Sequence, residues 1–157
     1  MSLSDVTDLE EEPDRRPILV VDDEQSMREF LSIMLEKEGY EVVTEDRGEA
    51  ALERIQDGER FRLVITDLKM PGKSGLEVLE ASKGADPACQ VVIITAHATP
   101  ESAISALKSG AYDYIQKPFK VEQAKAVVER ALERYDLKSE NLYLRRALAN
   151  KEQFGDI

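Results

Sequence analysis

From Pro17 onward the chain alternates short apolar runs with amphipathic stretches. The runs at 18–21, 41–44, 63–66 and 91–95 and a weaker one at 112–116 are rich in β-branched residues and almost unbroken. Uninterrupted apolar runs of this length predict strands buried on both faces of a parallel sheet. Between them the periodicity changes to that of a helix. Met27, Phe30, Leu31, Met34 and Leu35 fall at i, i+3, i+4, i+7 and i+8, and Gly39 stops the pattern. Ala51, Leu52 and Ile55 mark a second helix, and Leu76 and Leu79 a third. Ala103, Ile104 and Leu107, closed by Gly110, mark a fourth. Five β/α units with right-handed crossovers predict a doubly wound α/β sandwich.

The fifth helix outlasts such a domain. No Gly or Pro interrupts the chain from Val121 to about Asn150. Val127, Val128, Ala131 and Leu132 can pack on the sheet, and beyond them Leu137, Asn141, Leu144 and Leu148 follow a 4-3-4 spacing. Read as heptad positions d, a, d and a, with Asn at an a position, they predict a dimerisation segment of the parallel two-stranded kind.

Composition narrows the classes. The formal net charge is −11, which disfavours nucleic acid or an anionic membrane as the direct partner of this chain. Residues 1–17 contribute −4 of it, from six acids and two arginines. With no apolar h-region, residues 1–16 are expected to form a disordered acidic tail rather than a secretory signal. No apolar run approaches the roughly 18 residues of a membrane span, so a cytoplasmic location is expected. Cys89 is the only cysteine and His97 the only histidine, which excludes an internal disulfide and a Cys-rich zinc site. Cys89 is expected to serve packing.

The polar residues at strand ends carry the chemistry. Asp22 and Asp23 follow the first apolar run, Asp67 follows the third, Thr95 ends the fourth and Lys117 follows the fifth. In an open parallel sheet all of these positions lie at the carboxyl edge, where such folds bind ligands. Three carboxylates brought together repel, and a hard divalent cation such as Mg2+ resolves the conflict. One aspartate can then act as nucleophile toward a phosphoryl group, with Lys117 and Thr95 stabilising its oxygens.

Val20-Val21-Asp22-Asp23-Glu24, Asp67-Leu68-Lys69-Met70-Pro71-Gly72, Thr95-Ala96-His97 and Lys117-Pro118-Phe119 together resemble the receiver domain of bacterial two-component response regulators. The resemblance extends from about Arg16 to Leu132. It implies a flavodoxin-like (βα)5 three-layer sandwich with sheet order 2-1-3-4-5 and an extended C-terminal helix. It also implies that Asp67 accepts a phosphoryl group from a sensor histidine kinase. Asp23, Asp67 and the backbone carbonyl of Lys69 would bind Mg2+ directly, and Asp22 through water. Thr95 and Lys117 would contact the phosphoryl oxygens, with Thr95 and Tyr114 forming the switch. The peptide before Pro118 would be cis. Lys69 and His97 would tune the lifetime of the acyl phosphate.

The closing Glu152-Gln153-Phe154-Gly155-Asp156-Ile157 is similar to the entry into the ATPase domain of NtrC-like, sigma-54-dependent activators. The expected organisation is a tail (1–16), a receiver (17–133), a helical linker able to form a homodimer (134–153), and the start of a downstream output domain (154–157). The chain has no Walker A motif, so it is not expected to hydrolyse ATP by that route; the resemblance implies a phospho-accepting signalling domain rather than an enzyme. A dehalogenase-type phosphatase needs a second acid two residues after its nucleophile, where Lys69 stands. A flavin site would want hydroxyls and amides where the first loop is acidic. A stand-alone adaptor that dimerises is the alternative function.

Overall fold

The computed structural model describes residues 16–155, with side chains described through residue 149. The expected tail, apart from Arg16, and the final two residues lie outside that range. Five strands, β1 (Ile18–Val21), β2 (Val42–Glu45), β3 (Leu63–Thr66), β4 (Gln90–Thr95) and β5 (Asp113–Gln116), form one parallel sheet in the order β2-β1-β3-β4-β5. They alternate with five helices, α1 (Gln25–Lys37), α2 (Gly48–Gln56), α3 (Gly75–Ala85), α4 (Pro100–Lys108) and α5 (Val121–Gly155). This is the expected fold class and strand order.

Every residue of β1, β3 and β4 is buried, which explains their unbroken apolar sequences. Successive side chains still point to opposite faces. Ile18, Val20, Ile65, Val92 and Ile94 meet Leu31 and Leu35 of α1 and Val127 and Ala131 of α5. Leu19, Val21, Val64, Val91 and Ile93 meet Ala51 and Ile55 of α2, Val78 and Leu79 of α3, and Ala106 of α4. Two cores therefore share one sheet.

Two helices depart from the sequence reading. In α1, Leu31, Met34 and Leu35 are buried, but Phe30 is turned half outward against Phe119, ring centroids 6.1 Å apart. In α4 the core contact is Ala106, while Ile104 and Leu107 are about half exposed. A nine-residue helix lying on the sheet through a single small residue leaves its larger apolar side chains outside. Strand bounds move by one residue at most: β2 begins at Val42, β4 at Gln90 and β5 at Asp113.

α5 runs without a break past the sheet. Its first part packs, whereas Leu137, Asn141, Leu144 and Leu148 are exposed in the single chain.

Candidate functional site

Parallel strands all end on the same side, and the backbone ladder continues just past their ends. The Asp22 N–H donates to the Glu45 carbonyl (3.1 Å), that of Asp67 to the Val21 carbonyl (2.9 Å) and that of Lys117 to the Thr95 carbonyl (2.8 Å). These bonds fix the Cα positions of two acids and a lysine around one crevice. Nζ of Lys117 then lies 2.7 Å from Oδ2 of Asp22 and 3.0 Å from Oδ2 of Asp67. All three side chains are at most 8% exposed.

The remaining carboxylate oxygens are also occupied. Oδ1 of Asp22 accepts the Glu24 N–H at 2.9 Å, and Oδ1 of Asp67 accepts the Lys69 N–H at 3.2 Å. Arg28 donates to the Asp22 carbonyl at 2.8 Å, tying the first turn of α1 to the β1 end. Burial pushes the Asp22 carboxyl above its ordinary value despite Lys117 and the Glu24 N–H, and the Asp67 charge adds to the rise. Burial works against the Lys117 ammonium, but two carboxylates outweigh it and hold its pKa above the usual range. The partners thus gain unequally: one ammonium serves two buried anions.

Carboxylate oxygens of Asp22, Glu24 and Asp67 lie within 4.8 Å of one another. Hard oxygen donors in excess of the nearby positive charge fit a divalent cation such as Mg2+. Asp23 does not join this cluster. It is exposed, and Glu24, 3.7 Å from Lys117, stands in the third place. Proximity in sequence could not separate these two neighbours, because the turn into α1 decides which side chain faces the crevice.

Thr95 is fully buried, and its Oγ1 accepts the His97 N–H at 3.1 Å. His97 and Lys69 are exposed at the rim. The hydroxyl of Tyr114 shares a 2.7 Å hydrogen bond with Ser102 in the first turn of α4. The Lys117–Pro118 peptide is cis.

Two supports escaped the sequence reading. A Cβ on Gly75 would collide with the Asp67 carbonyl oxygen, so a glycine there lets α3 start directly against the acceptor residue. Glu49, in the first turn of α2, accepts the Lys73 N–H at 2.8 Å and clasps the loop after Asp67. A Cβ on Gly72, which has φ +81°, would run into the Glu49 carboxylate. The glycine at 72 was visible in sequence; its partner, 23 positions upstream, was not.

Residues 18–129 match the family described as response regulator receiver domain. Regulatory protein AtoC of Escherichia coli is 34% identical over 140 residues, covering 89% of this chain and 30% of that protein. NtrX from Brucella abortus, solved in complex with ADP, is 42% identical with a TM-score of 0.73, covering 82% of this chain and 29% of that one. The beryllofluoride-activated NtrC4 receiver domain dimer is 35% identical with a TM-score of 0.70, covering 76% of this chain and 98% of that one. This chain thus spans less than a third of the AtoC and NtrX lengths. Among the described residues no helix is long and apolar enough to cross a membrane.

Proposed function

The chain belongs to the response regulator receiver family, and on that premise we propose that Asp67 takes a phosphoryl group from the phosphohistidine of a sensor kinase. The observation that carries this is Lys117 held against both Asp22 and Asp67 in one buried crevice. A carboxylate oxygen of Asp67 attacks phosphorus, the P–N bond breaks, the electron pair and a proton go to the leaving imidazole, and an acyl phosphate remains. Lys117 shifts from the Asp67 oxygen toward the incoming phosphoryl oxygens, and the Thr95 hydroxyl donates to another. Mg2+, when bound, neutralises phosphoryl charge and screens the carboxylates from one another. Asp23, Asp67 and the Lys69 carbonyl are its direct ligands in this proposal, with Asp22 acting through water. Asp23 makes no hydrogen bond or ion pair among the described residues, which leaves it free to turn inward.

The new charge draws Thr95 inward, and Tyr114 exchanges its Ser102 bond for the space vacated. That couples the acceptor to α4, β5 and α5. Lys69 and His97, at the rim, set access of water to the acyl phosphate. In this proposal residues 134–153 link the receiver (17–133) to an output domain beginning at 154–157. Leu137, Asn141, Leu144 and Leu148 form the seam of a homodimer. By their kinship with AtoC and NtrX, we assign the whole protein to cytoplasmic, sigma-54-dependent activation of transcription through a downstream ATPase. In this reading the chain is not itself an enzyme, beyond assisting its own phosphorylation and hydrolysis.

The test incubates the chain with Mg2+ and acetyl phosphate beside Asp67→Asn, following intact mass and light scattering together. The expected result is one phosphoryl mass, Mg2+-dependent and absent in the variant, with a change in oligomer size. No adduct in the wild-type chain with acetyl phosphate, and no response to beryllofluoride, would sink the acceptor assignment.

A further inference from the structure

At the opposite edge of the sheet from Asp67, a cleft of about 510 Å³ opens between the end of α3, the turn into β5 and the outer side of α5. Lys83, Arg130, Arg134 and Lys138 line it, against one carboxylate, Glu133. A second cleft of about 260 Å³, sharing Lys138 and adding Arg145, extends it along α5 past Pro87. Arg130, Arg134, Lys138 and Arg145 make no ion pair or hydrogen bond among the described residues. Lys83 is fixed at the mouth by donating to the carbonyls of Pro87 (2.9 Å) and Cys89 (2.8 Å), with one N–H left over. Five cations in a row are unusual on a chain whose net charge is −11. Burial, with the nearby charges of Lys138 and Arg134, holds the Lys83 ammonium below its ordinary value, although the Asp86 carboxylate acts in the other direction.

The chain itself supplies a complement. Residues 5–14 contain six carboxylates and no cation. They join the described chain beside the groove: the Arg16 guanidinium bonds Asp86 (3.2 Å) and the hydroxyl of Tyr135 (3.3 Å), and Tyr135 lies on α5 between Arg134 and Lys138. From Arg130 to Arg145 the helix covers about 22 Å, and ten extended residues reach about 33 Å, so the segment is long enough. We propose that the groove formed by Lys83, Arg130, Arg134, Lys138 and Arg145 is a binding site for an acidic peptide segment, and that its occupant is residues 5–14 of the same chain. Leu137 and Asn141 line the same groove, so the docked segment covers the beginning of the exposed α5 seam.

Zero-length carbodiimide coupling of the full chain tests this, using an equal mixture of 14N- and 15N-labelled protein so that peptide masses separate links within a chain from links between chains. At low ionic strength, Lys83 or Lys138 is expected to couple to Glu10, Glu11, Glu12 or Asp14 of its own chain. The yield should exceed that at the exposed Lys37 and Lys108 at least fivefold. It should fall at least fivefold in 0.5 M NaCl, where screening acts over about 4 Å, and likewise in Arg134→Glu, an exposed position whose substitution leaves the helix intact. Links only between chains would hand the groove to a second copy and overturn the assignment. So would yields no higher than at the control lysines, or yields indifferent to both salt and Arg134→Glu.

Discussion

Replacing Lys117 by methionine keeps the length of the side chain and removes its charge. The ammonium lies 2.7 Å from Asp22 and 3.0 Å from Asp67, whose side chains are 3% and 5% exposed. The substitution therefore strands two buried carboxylates, each keeping only one backbone N–H. Breaking a buried pair by deleting one partner costs about 3–5 kcal/mol. The lower end, about 3 kcal/mol, applies here because the crevice opens at the sheet edge and water can reach the acids. With a urea dependence of about 1.5 kcal/mol per M for a domain of this size, the midpoint falls by about 2 M. Urea unfolding followed by circular dichroism at pH 7.5 in EDTA measures this. Adding Asp22→Asn to Lys117→Met should recover about half of the loss, since one stranded charge disappears. The pH dependence has a definite sign. Without the lysine, burial holds the Asp22 carboxyl further above its unfolded value, so its neutral form suits the fold. Its contribution to stability is then fully present below about pH 4 and lost as pH rises through the folded value, and the deficit against wild type shrinks on acidification. A loss under about 1 kcal/mol, or no recovery on adding Asp22→Asn, would refute the idea that Lys117 compensates buried charge.

Other consequences follow from single features. Burial, reinforced by Asp86, pushes the Cys89 thiol from 9.0 to about 12, so the native chain should be alkylated at pH 8 about a thousandfold more slowly than the urea-unfolded chain, as iodoacetamide kinetics would report. The same group contributes stability that is fully present below pH 9 and lost as pH rises toward 12, up to about 4 kcal/mol, which alkaline titration of wild type against Cys89→Ala would reveal. Gly75→Ala should cost about 1–3 kcal/mol and slow acetyl phosphate labelling at least tenfold by displacing the Asp67 backbone. Gly84→Ala, where a Cβ meets nothing within 4 Å, should stabilise α3 by about 0.5–1 kcal/mol in the same melts. Mg2+ at a hundred times its dissociation constant should stabilise the wild type by about 2.7 kcal/mol. Asp23→Asn should weaken that effect more than Glu24→Gln; the reverse order in calorimetric titration would make Glu24 the third ligand.

Features that depend only on neighbours along the chain are legible in the residues alone. Uninterrupted β-branched runs predict strands covered on both sides, and β1, β3 and β4 are so covered. A strand's end is also a local property, and once the strands are parallel every end lies on one edge, so Asp22, Asp67, Thr95 and Lys117 were legible as a set. Apolar spacing at 3.6 residues located all five helices and the overrun of α5. Side-chain orientation at each turn, and pairing between distant segments, were not legible. Periodicity alone does not say how a short helix rolls on the sheet, so the outward side of α4, with Ile104 and Leu107, came only from packing. The choice of Glu24 over Asp23 in the acidic cluster depends on the path from β1 into α1. Lys117 meets Asp22 across 95 residues and Glu49 meets Lys73 across 24. The cations of α3 and α5, helices on opposite faces of the sheet, form one groove only because both reach the same end of it, beside the starts of β4 and β5. Local pattern specifies elements because backbone geometry repeats along each of them; contacts between elements depend on where two distant segments are anchored, and only the packed sheet fixes both anchors at once.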